Sequence, residues 1–295
     1  MKIWLKALRV EQWTKNAVVF AAWLFAVADP SQAALARGIR PFLLTCAMAG
    51  SFALLSSAFY LLNDVSDYEA DKLHPVKRLR PIAADLISKV DAVRTALGLF
   101  SAALLFPCYL VLRHPDRTWG FAVILVYAIL QFAYSGYLKR LAYVDVVVIA
   151  AGFVLRAVAG AMDVRISPWL LACAFALSLF LALCKRKHEC DVALASRAAL
   201  KRYHPKTLNA LIVLAAAATL GVYAAYTLAP DTAARFGSNH LAYTSVFVLL
   251  GVARYLRLVF GKADTGRPER VLLTDRTLWA ILAGYGICAW VCLTI

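Results

Sequence analysis

A chain of 295 residues that is 62% hydrophobic and only 17% charged, with a mean hydropathy of +0.70, is too apolar to be a soluble globule. Repeated apolar runs of membrane-crossing length read as a polytopic α-helical membrane protein, because a helix satisfies its own backbone groups in lipid. The formal charge of +15 does not signal nucleic acid. No basic region is long enough or free enough of lipid-seeking residues to form such a face, and basic cytoplasmic loops with anionic ligands account for the charge.

Nine membrane spans are expected, at about 15–28, 42–62, 92–112, 118–137, 144–162, 168–184, 207–228, 240–260 and 277–294. The first ends in Ala26-Val27-Ala28, which resembles a signal-peptidase site. The charged region ahead of it runs to Lys15 and is long for a signal, so an uncleaved helix is expected. Just before it stands Arg9-Val-Glu-Gln-Trp-Thr-Lys-Asn16, with Gln12, Lys15 and Asn16 close together at the membrane entry. An interfacial anchor with Trp4 and Trp13 in the aromatic belt is the alternative reading.

Span 2 runs into the most charged stretch of the chain, Asn63–Pro81, which holds four acidic and five basic side chains, His74 included. Asn63, Asp67 and Asp71 recur every four residues. On a helix this spacing keeps three oxygen-bearing heads on one face, roughly 6 Å apart along the axis. Such hard oxygens suit Mg²⁺, which takes one or two carboxylates and completes its shell with water and substrate phosphate. His74, Lys77, Arg78 and Arg80 follow directly and suit phosphate oxygens. A solvated loop is the plain alternative, but charges at the end of an apolar helix are expensive and usually functional.

After span 4 come Tyr134-Ser-Gly-Tyr-Leu-Lys139-Arg140 and then Asp145, which also complements a helix N-terminus. Arg156 lies mid-span among small residues, with Gly152 and Gly160 allowing close helix approach. An arginine at that depth must face the bundle interior and find an anionic partner, whether a ligand or a structural carboxylate. Span 6 ends in Lys185-Arg186-Lys-His-Glu189, a second basic clamp with one acid. Asp264, Arg267, Glu269 and Asp275 of the last charged loop carry only a weak functional signal.

Most of the 32 lysines and arginines fall before span 1 and at or after the ends of spans 2, 4, 6 and 8. Only Arg37, Arg40, Arg113, Arg117, Arg165 and Arg235 lie in the opposite segments. The positive-inside rule therefore expects the N-terminus, the Asn63 stretch and the Lys185 loop in the cytoplasm and the C-terminus outside. No linker divides the chain, which reads as one domain, 1–295. The seven cysteines are odd in number, form no C-x-x-C pair and read as packing residues. Nucleotide-binding, zincin and serine-hydrolase signatures are absent.

These motifs carry a resemblance. N-D-x-x-D-x-x-x-D at 63–71 and Y-S-x-x-x-K-R at 134–140 resemble the UbiA superfamily of intramembrane prenyltransferases. Within it, D-x-E-A-D-x-x-H-P-x-K-R-x-R-P-I-A-A at 67–84, D-V-x-V-x-A-x-G-F-V-L-R-A-x-A-G-A at 145–161, K-R-K-H-E at 185–189 and Q-W-x-K-N at 12–16 look closest to the decaprenyl-phosphate phosphoribosyltransferase branch.

The resemblance implies an all-α fold, nine helices around a central cavity open to the cytoplasm, in the plasma (inner) membrane. It implies Mg²⁺-dependent transfer of 5-phosphoribose from 5-phosphoribosyl diphosphate to a polyprenyl monophosphate. Asn63, Asp67 and Asp71 then hold the metal. Asp64, Asp67, Asp71, Lys139 and Arg156 are the expected catalytic residues. Gln12, Lys15, Asn16, His74, Lys77, Arg78, Arg80, Tyr134, Lys185, Arg186 and Glu189 are the expected substrate-binding ones. Membrane lipids are expected neighbours, a homo-oligomer is compatible with this reading, and nucleic acid is not a partner. Ordinary prenyltransferases carry a second acidic ladder after span 6; here only Glu189 and Asp191 stand there. The alternatives are such a prenyltransferase, joining a prenyl diphosphate to an aromatic or other acceptor, and a transporter or lipid-binding protein.

Overall fold

The structure is a computed structural model that describes residues 2–114, 118–191, 202–261, 265–266 and 268–294. Asp264 and Arg267 lie outside the described residues. Every regular element among those described is helical. Besides short 3₁₀ turns at Lys77–Leu79, Leu138–Arg140 and His240–Thr244, they are in chain order α1 (Lys2–Ala7), a 3₁₀ segment (Val10–Phe20), α2 (Ala21–Ala28), α3 (Ala33–Ala36), α4 (Ile39–Ser66), α5 (Tyr68–Lys72) and α6 (Lys89–Arg113). Then follow α7 (Thr118–Gly136), α8 (Val144–Ala159), α9 (Pro168–Asp191), α10 (Pro205–Leu228), α11 (Pro230–Phe236), α12 (Ser245–Phe260), α13 (Pro268–Thr274) and α14 (Arg276–Thr294).

Local chemistry sets several of these boundaries. Ser88 accepts the Asp91 amide at 3.0 Å and caps α6. Proline opens α9, α10 and α11, where its missing N–H costs nothing. Gly237, at φ 72°, ends α11 in the left-handed region that glycine enters without strain.

Seven helices among the described residues are long and apolar enough to cross a membrane: α4, α6, α7, α9, α10, the run His240–Phe260 that ends in α12, and α14. The expected spans 15–28 and 144–162 are not among them. The first is divided between the 3₁₀ segment and the short α2. The second is α8, which has 16 residues and carries Asp145 and Arg156. At about 1.5 Å per residue it falls short of a hydrocarbon core about 30 Å thick.

The chain divides into two compact units, each discontinuous in sequence. One comprises Met1–Trp23, Gly38–Leu138 and Leu155–Val164; the other comprises Leu24–Arg37, Lys139–Val154 and Arg165–Ile295.

The first unit is built on α4, against which α6, α7 and the 3₁₀ segment pack. Of its most apolar window 56% is buried, against 11% for α14, so α4 is a core helix. Met48, Phe52, Leu55 and Phe59 supply the buried stripe, meeting Val19, Ile124, Tyr127 and Ala159. Ser51, Ala53, Ser56, Ser57 and Ala58 keep that helix narrow, which lets neighbours approach closely. Gly160 bears out the expectation of close approach most sharply, because a Cβ there would stand 1.7 Å from the Val19 carbonyl oxygen.

In the second unit α9 and α10 pair, and Phe180, Leu183, Cys184, Leu208, Ile212, Val252, Tyr255 and Val259 form its core. The seven cysteines are unbridged, as expected for packing residues.

Candidate active site

The acidic ladder takes shape where α4 ends. Asp67 closes α4 and leads into α5, yet the backbone keeps its helical repeat: Asp67 N–H donates to Asn63 O and Asp71 N–H to Asp67 O, both at 2.8 Å. Asn63, Asp67 and Asp71 therefore follow one another at one-turn intervals. Asp64 and Asp71 are buried, Asn63 and Asp67 half-buried. Buried carboxylates require compensating charge. Arg80 Nη1 donates to Asp64 Oδ1 at 3.1 Å and to Asp71 Oδ2 at 2.6 Å, and Arg9 Nη2 donates to Asp64 Oδ1 at 2.5 Å. One guanidinium thus joins two rungs, and a second reaches in from the N-terminal motif. Arg9 also lies over the Tyr60 ring at 4.8 Å and has φ 51°, a left-handed conformation rare outside glycine.

The basic loop beyond α5 is folded by its own side chains. His74 Nδ1 accepts the backbone N–H groups of Val76 and Lys77, each at 3.2 Å. Burial, and after it the charge of Lys77, hold the imidazole pKa below its ordinary value, in keeping with an accepting Nδ1. Further along, Asp85 at φ 57° accepts from the Tyr68 hydroxyl at 2.5 Å and pairs with Lys72 at 2.8 Å. The Lys72 hydrogen bond holds the Asp85 pKa below the carboxylate range. Lys77 and Arg80 are half-buried and Arg78 is exposed.

The N-terminal motif runs along α4 as the 3₁₀ segment. Three residues per turn place Gln12 and Lys15 on one face, and Asn16 turns inward and is buried. Trp13 Nε1 donates to Ser57 Oγ at 3.0 Å, and Ser57 Oγ donates to Leu8 O at 2.9 Å. Arg156, buried, donates from Nε to Asn16 Oδ1 at 3.0 Å and from Nη2 to the Tyr127 hydroxyl at 2.6 Å. Its guanidinium stands 4.8 Å from the Tyr127 ring centre and 5.8 Å from that of Phe52. Phe52 precedes Asn63 by eleven residues on α4, about 16 Å along a helix axis. Arg156 therefore sits at a different level from the acidic ladder. Tyr134 is half-buried at the end of α7.

Lys139, Lys185, Arg186 and Glu189 belong to the second unit. Arg186, expected at a phosphate, is enclosed: Nε donates to Asp145 Oδ2 at 2.7 Å and Nη1 to Glu189 Oε2. Tyr203 donates its hydroxyl to Asp145 Oδ1. Burial, reinforced by that carboxylate, pushes the Tyr203 pKa up, so it remains a donor. Lys187 pairs with Asp191 at 3.0 Å. Both acids in the last turn of α9 thus pair with cations of the same helix end. Lys139 and Lys185 are half-buried.

The donor set of the ladder is chemically suited to a hard divalent cation. Asn63, Asp67 and Asp71 offer oxygen only, and two carboxylates leave room for phosphate and water in the shell. Among the described residues, no three His, Cys, Asp or Glu side chains gather as a closed metal cage. The set fits a metal that arrives with a phosphate ligand.

The UbiA prenyltransferase family profile matches residues 17–282. The chain belongs to that family. A decaprenyl-phosphate phosphoribosyltransferase of Mycolicibacterium smegmatis is 33% identical over 93% of this chain and 87% of its own length. The enzyme of the same name from Corynebacterium glutamicum is 32% identical over 96% and 84%. Among solved structures, a UbiA homolog from Archaeoglobus fulgidus bound to GPP and Mg²⁺ is 17% identical, with a TM-score of 0.69 over 99% of this chain and 97% of the homolog. That likeness establishes the fold. Membership in the UbiA family and seven long apolar helices make this an integral membrane transferase.

Four site residues escaped sequence reasoning: Arg9, Tyr127, Asp145 as partner of Arg186, and Tyr203. Arg9 stood within the quoted N-terminal motif, but its partner Asp64 is 55 positions away. Tyr127 and Tyr203 lie in no motif and carried no local signal.

Proposed function

We propose that this protein transfers 5-phosphoribose from 5-phosphoribosyl diphosphate to a polyprenyl monophosphate of decaprenyl type, releasing pyrophosphate. The carrying observation is Arg80, whose Nη1 reaches both Asp64 and Asp71 and so unites the acid ladder with the basic clamp. The two relatives a third identical across nearly the whole chain, both so named, support the same reaction.

In this reading residues 1–295 act as one domain, with nine membrane segments around a cavity open to the cytoplasm, N-terminus inside and C-terminus outside. Asn63, Asp67 and Asp71 hold Mg²⁺ with Asp64 beside them, and the metal, when bound with the donor, polarises the departing diphosphate. His74, Lys77, Arg78 and Arg80 surround that diphosphate, and Gln12, Lys15, Tyr134, Lys139 and Lys185 take remaining phosphate oxygens. Arg156 acts through Asn16 on the segment that carries Gln12 and Lys15. Arg186 with Glu189 holds Asp145 and fixes the end of α9. The acceptor phosphate is already an anion and needs no general base. Its oxygen bonds to C1 of the ribose as the bond to pyrophosphate breaks, with inversion, through an oxocarbenium-like state. Positioning and charge stabilisation supply the rate.

The second reading is a prenyl diphosphate donor with an aromatic acceptor. Against it stands the sequence at the end of span 6, where only Glu189 and Asp191 stand amid lysines and arginines, two residues apart and not at the four-residue spacing of a second ladder.

The test supplies purified protein with Mg²⁺, polyprenyl phosphate and radiolabelled 5-phosphoribosyl diphosphate, and separately prenyl diphosphate with aromatic acceptors. Labelled lipid that requires Mg²⁺ and vanishes in Asp67→Ala supports phosphoribosyl transfer. A prenylated acceptor without ribosylated lipid overturns it, and movement of substrate without chemistry would point to a transporter.

A further inference from the structure

The geometry points to a cation exchange at the acidic ladder, in which Arg9 and Arg80 occupy the carboxylates until a metal–diphosphate arrives and then transfer to its phosphate oxygens. This inference rests on the proposed donor site and adds an order of events to it.

Asp64 and Asp71 are among the most enclosed carboxylates of the first unit, 3% and 2% exposed. Two anions that close in a poorly hydrated place repel one another and need cations. The chain supplies them from two directions: Arg80 from the loop after α5 bridges both, and Arg9 from the N-terminal motif doubles the charge on Asp64 Oδ1. Both arginine side chains keep about a quarter of their surface exposed. They are paired yet partly exposed, unlike Arg186, which is fully enclosed.

A divalent cation approaching the ladder meets two guanidinium groups already seated on its side. Like charges at hydrogen-bond spacing in a weakly screened site cost far more than in water. Metal alone must therefore displace or crowd the arginines with no compensation for them. A metal carrying a diphosphate brings the compensation with it, because guanidinium forks match phosphate oxygens well. Asp71 passes to the metal with Asp64 beside it, and the arginines pass to the phosphate. Binding of metal and diphosphate is then mutually reinforcing, and the reinforcement is a property of Arg9 and Arg80. By linkage each ligand raises the affinity for the other by the same factor, commonly about 5- to 150-fold.

The test uses the full chain in detergent, with Mg²⁺ alone, pyrophosphate alone and a preformed Mg²⁺–pyrophosphate complex, read by calorimetry. In the unaltered protein Mg²⁺ alone is expected to bind at least about tenfold more weakly than in the presence of pyrophosphate. Arg80→Gln should tighten Mg²⁺ alone and weaken Mg²⁺–pyrophosphate, each by about fivefold or more. Arg9→Gln should move both in the same directions by less, and it serves as the deciding variant if Arg80→Gln does not fold. Arg80→Lys, which keeps the charge, should retain weak binding of Mg²⁺ alone. A merely structural arginine would lower both affinities or neither, and either result overturns the exchange. The reaction assignment fails separately. Opposite shifts without ribosylated lipid from 5-phosphoribosyl diphosphate sink the assignment and keep the exchange; ribosylated lipid without opposite shifts does the reverse.

Discussion

Arg186 and Asp145 form a closed ion pair in the second unit, Nε to Oδ2 at 2.7 Å, with each side chain only 2% exposed. The pair joins α9 to the first turn of α8, and Glu189 and Tyr203 complete its shell. Asp145→Ala leaves a buried guanidinium short of its principal anion. Breaking such a pair on one side costs roughly 3–5 kcal/mol, whereas replacing both partners by apolar residues of similar volume is often neutral. Thermal unfolding in detergent should therefore show a large fall for Asp145→Ala and recovery of most of it in Asp145→Leu with Arg186→Met. A double variant no better than the single would show that the pair is needed as an ion pair.

Gly160→Ala should be poorly tolerated. The added methyl would stand 1.7 Å from the Val19 carbonyl oxygen, a backbone atom that has no rotamer to escape into. Overpacking of this kind costs about 1–3 kcal/mol or more. Gly50→Ala, where nothing lies within 4 Å, is the control on the same unit. Equal thermal midpoints for the two variants would contradict the close contact.

Tyr127→Phe removes the acceptor that receives Arg156 Nη2 at 2.6 Å while keeping the ring packed at a tilt against Phe52. A hydrogen bond to a charged group contributes about 1.5–3 kcal/mol. A loss of that order is expected in thermal unfolding. Binding of Mg²⁺–pyrophosphate should change little, since Arg156 lies near Phe52 and the ladder begins at Asn63. A large loss of that binding with unaltered stability would place Arg156 at the diphosphate itself.

His74 sets a pH limit on the loop after α5. Its folded-state pKa lies below the ordinary value of 6.5 because burial, and then Lys77, disfavour the imidazolium. A depressed pKa contributes stability that is full above the unfolded value and is lost as pH falls below about 6.5 towards the folded one. Protonation also removes the Nδ1 acceptor from the Val76 and Lys77 amides. Limited proteolysis within 73–88 should accelerate on acidification in the unaltered protein. In His74→Gln the rate should be pH-independent across the same window; an unchanged acid response there would assign the transition to another group.

Much of this protein was legible in its sequence because the signals were local. Apolar runs of fixed length specify membrane helices, since lipid leaves backbone groups no other partner. The four-residue spacing of Asn63, Asp67 and Asp71 specifies a ladder at one-turn intervals, and the backbone bonds keep that interval through the break at Asp67. The family motifs at 63–84 and 145–161 carried the reaction class, and the relatives that share the chain's length bear it out.

What the sequence could not decide was which charge meets which. Sequence marks Arg80 and Arg186 alike as basic clamps; in the fold Arg80 reaches Asp64 and Asp71, and Arg186 is enclosed by Asp145 and Glu189. Arg156, which sequence marks for the chemistry, donates to Asn16 and Tyr127. Hydropathy and motif spacing are one-dimensional and report each residue's cost of burial. A buried charge, however, is stabilised by whichever partner the packing brings within about 3 Å, and Arg9 finds Asp64 across 55 positions. The class, the membrane and the ladder follow from the chain itself; the pairing of its charges follows only from the tertiary structure.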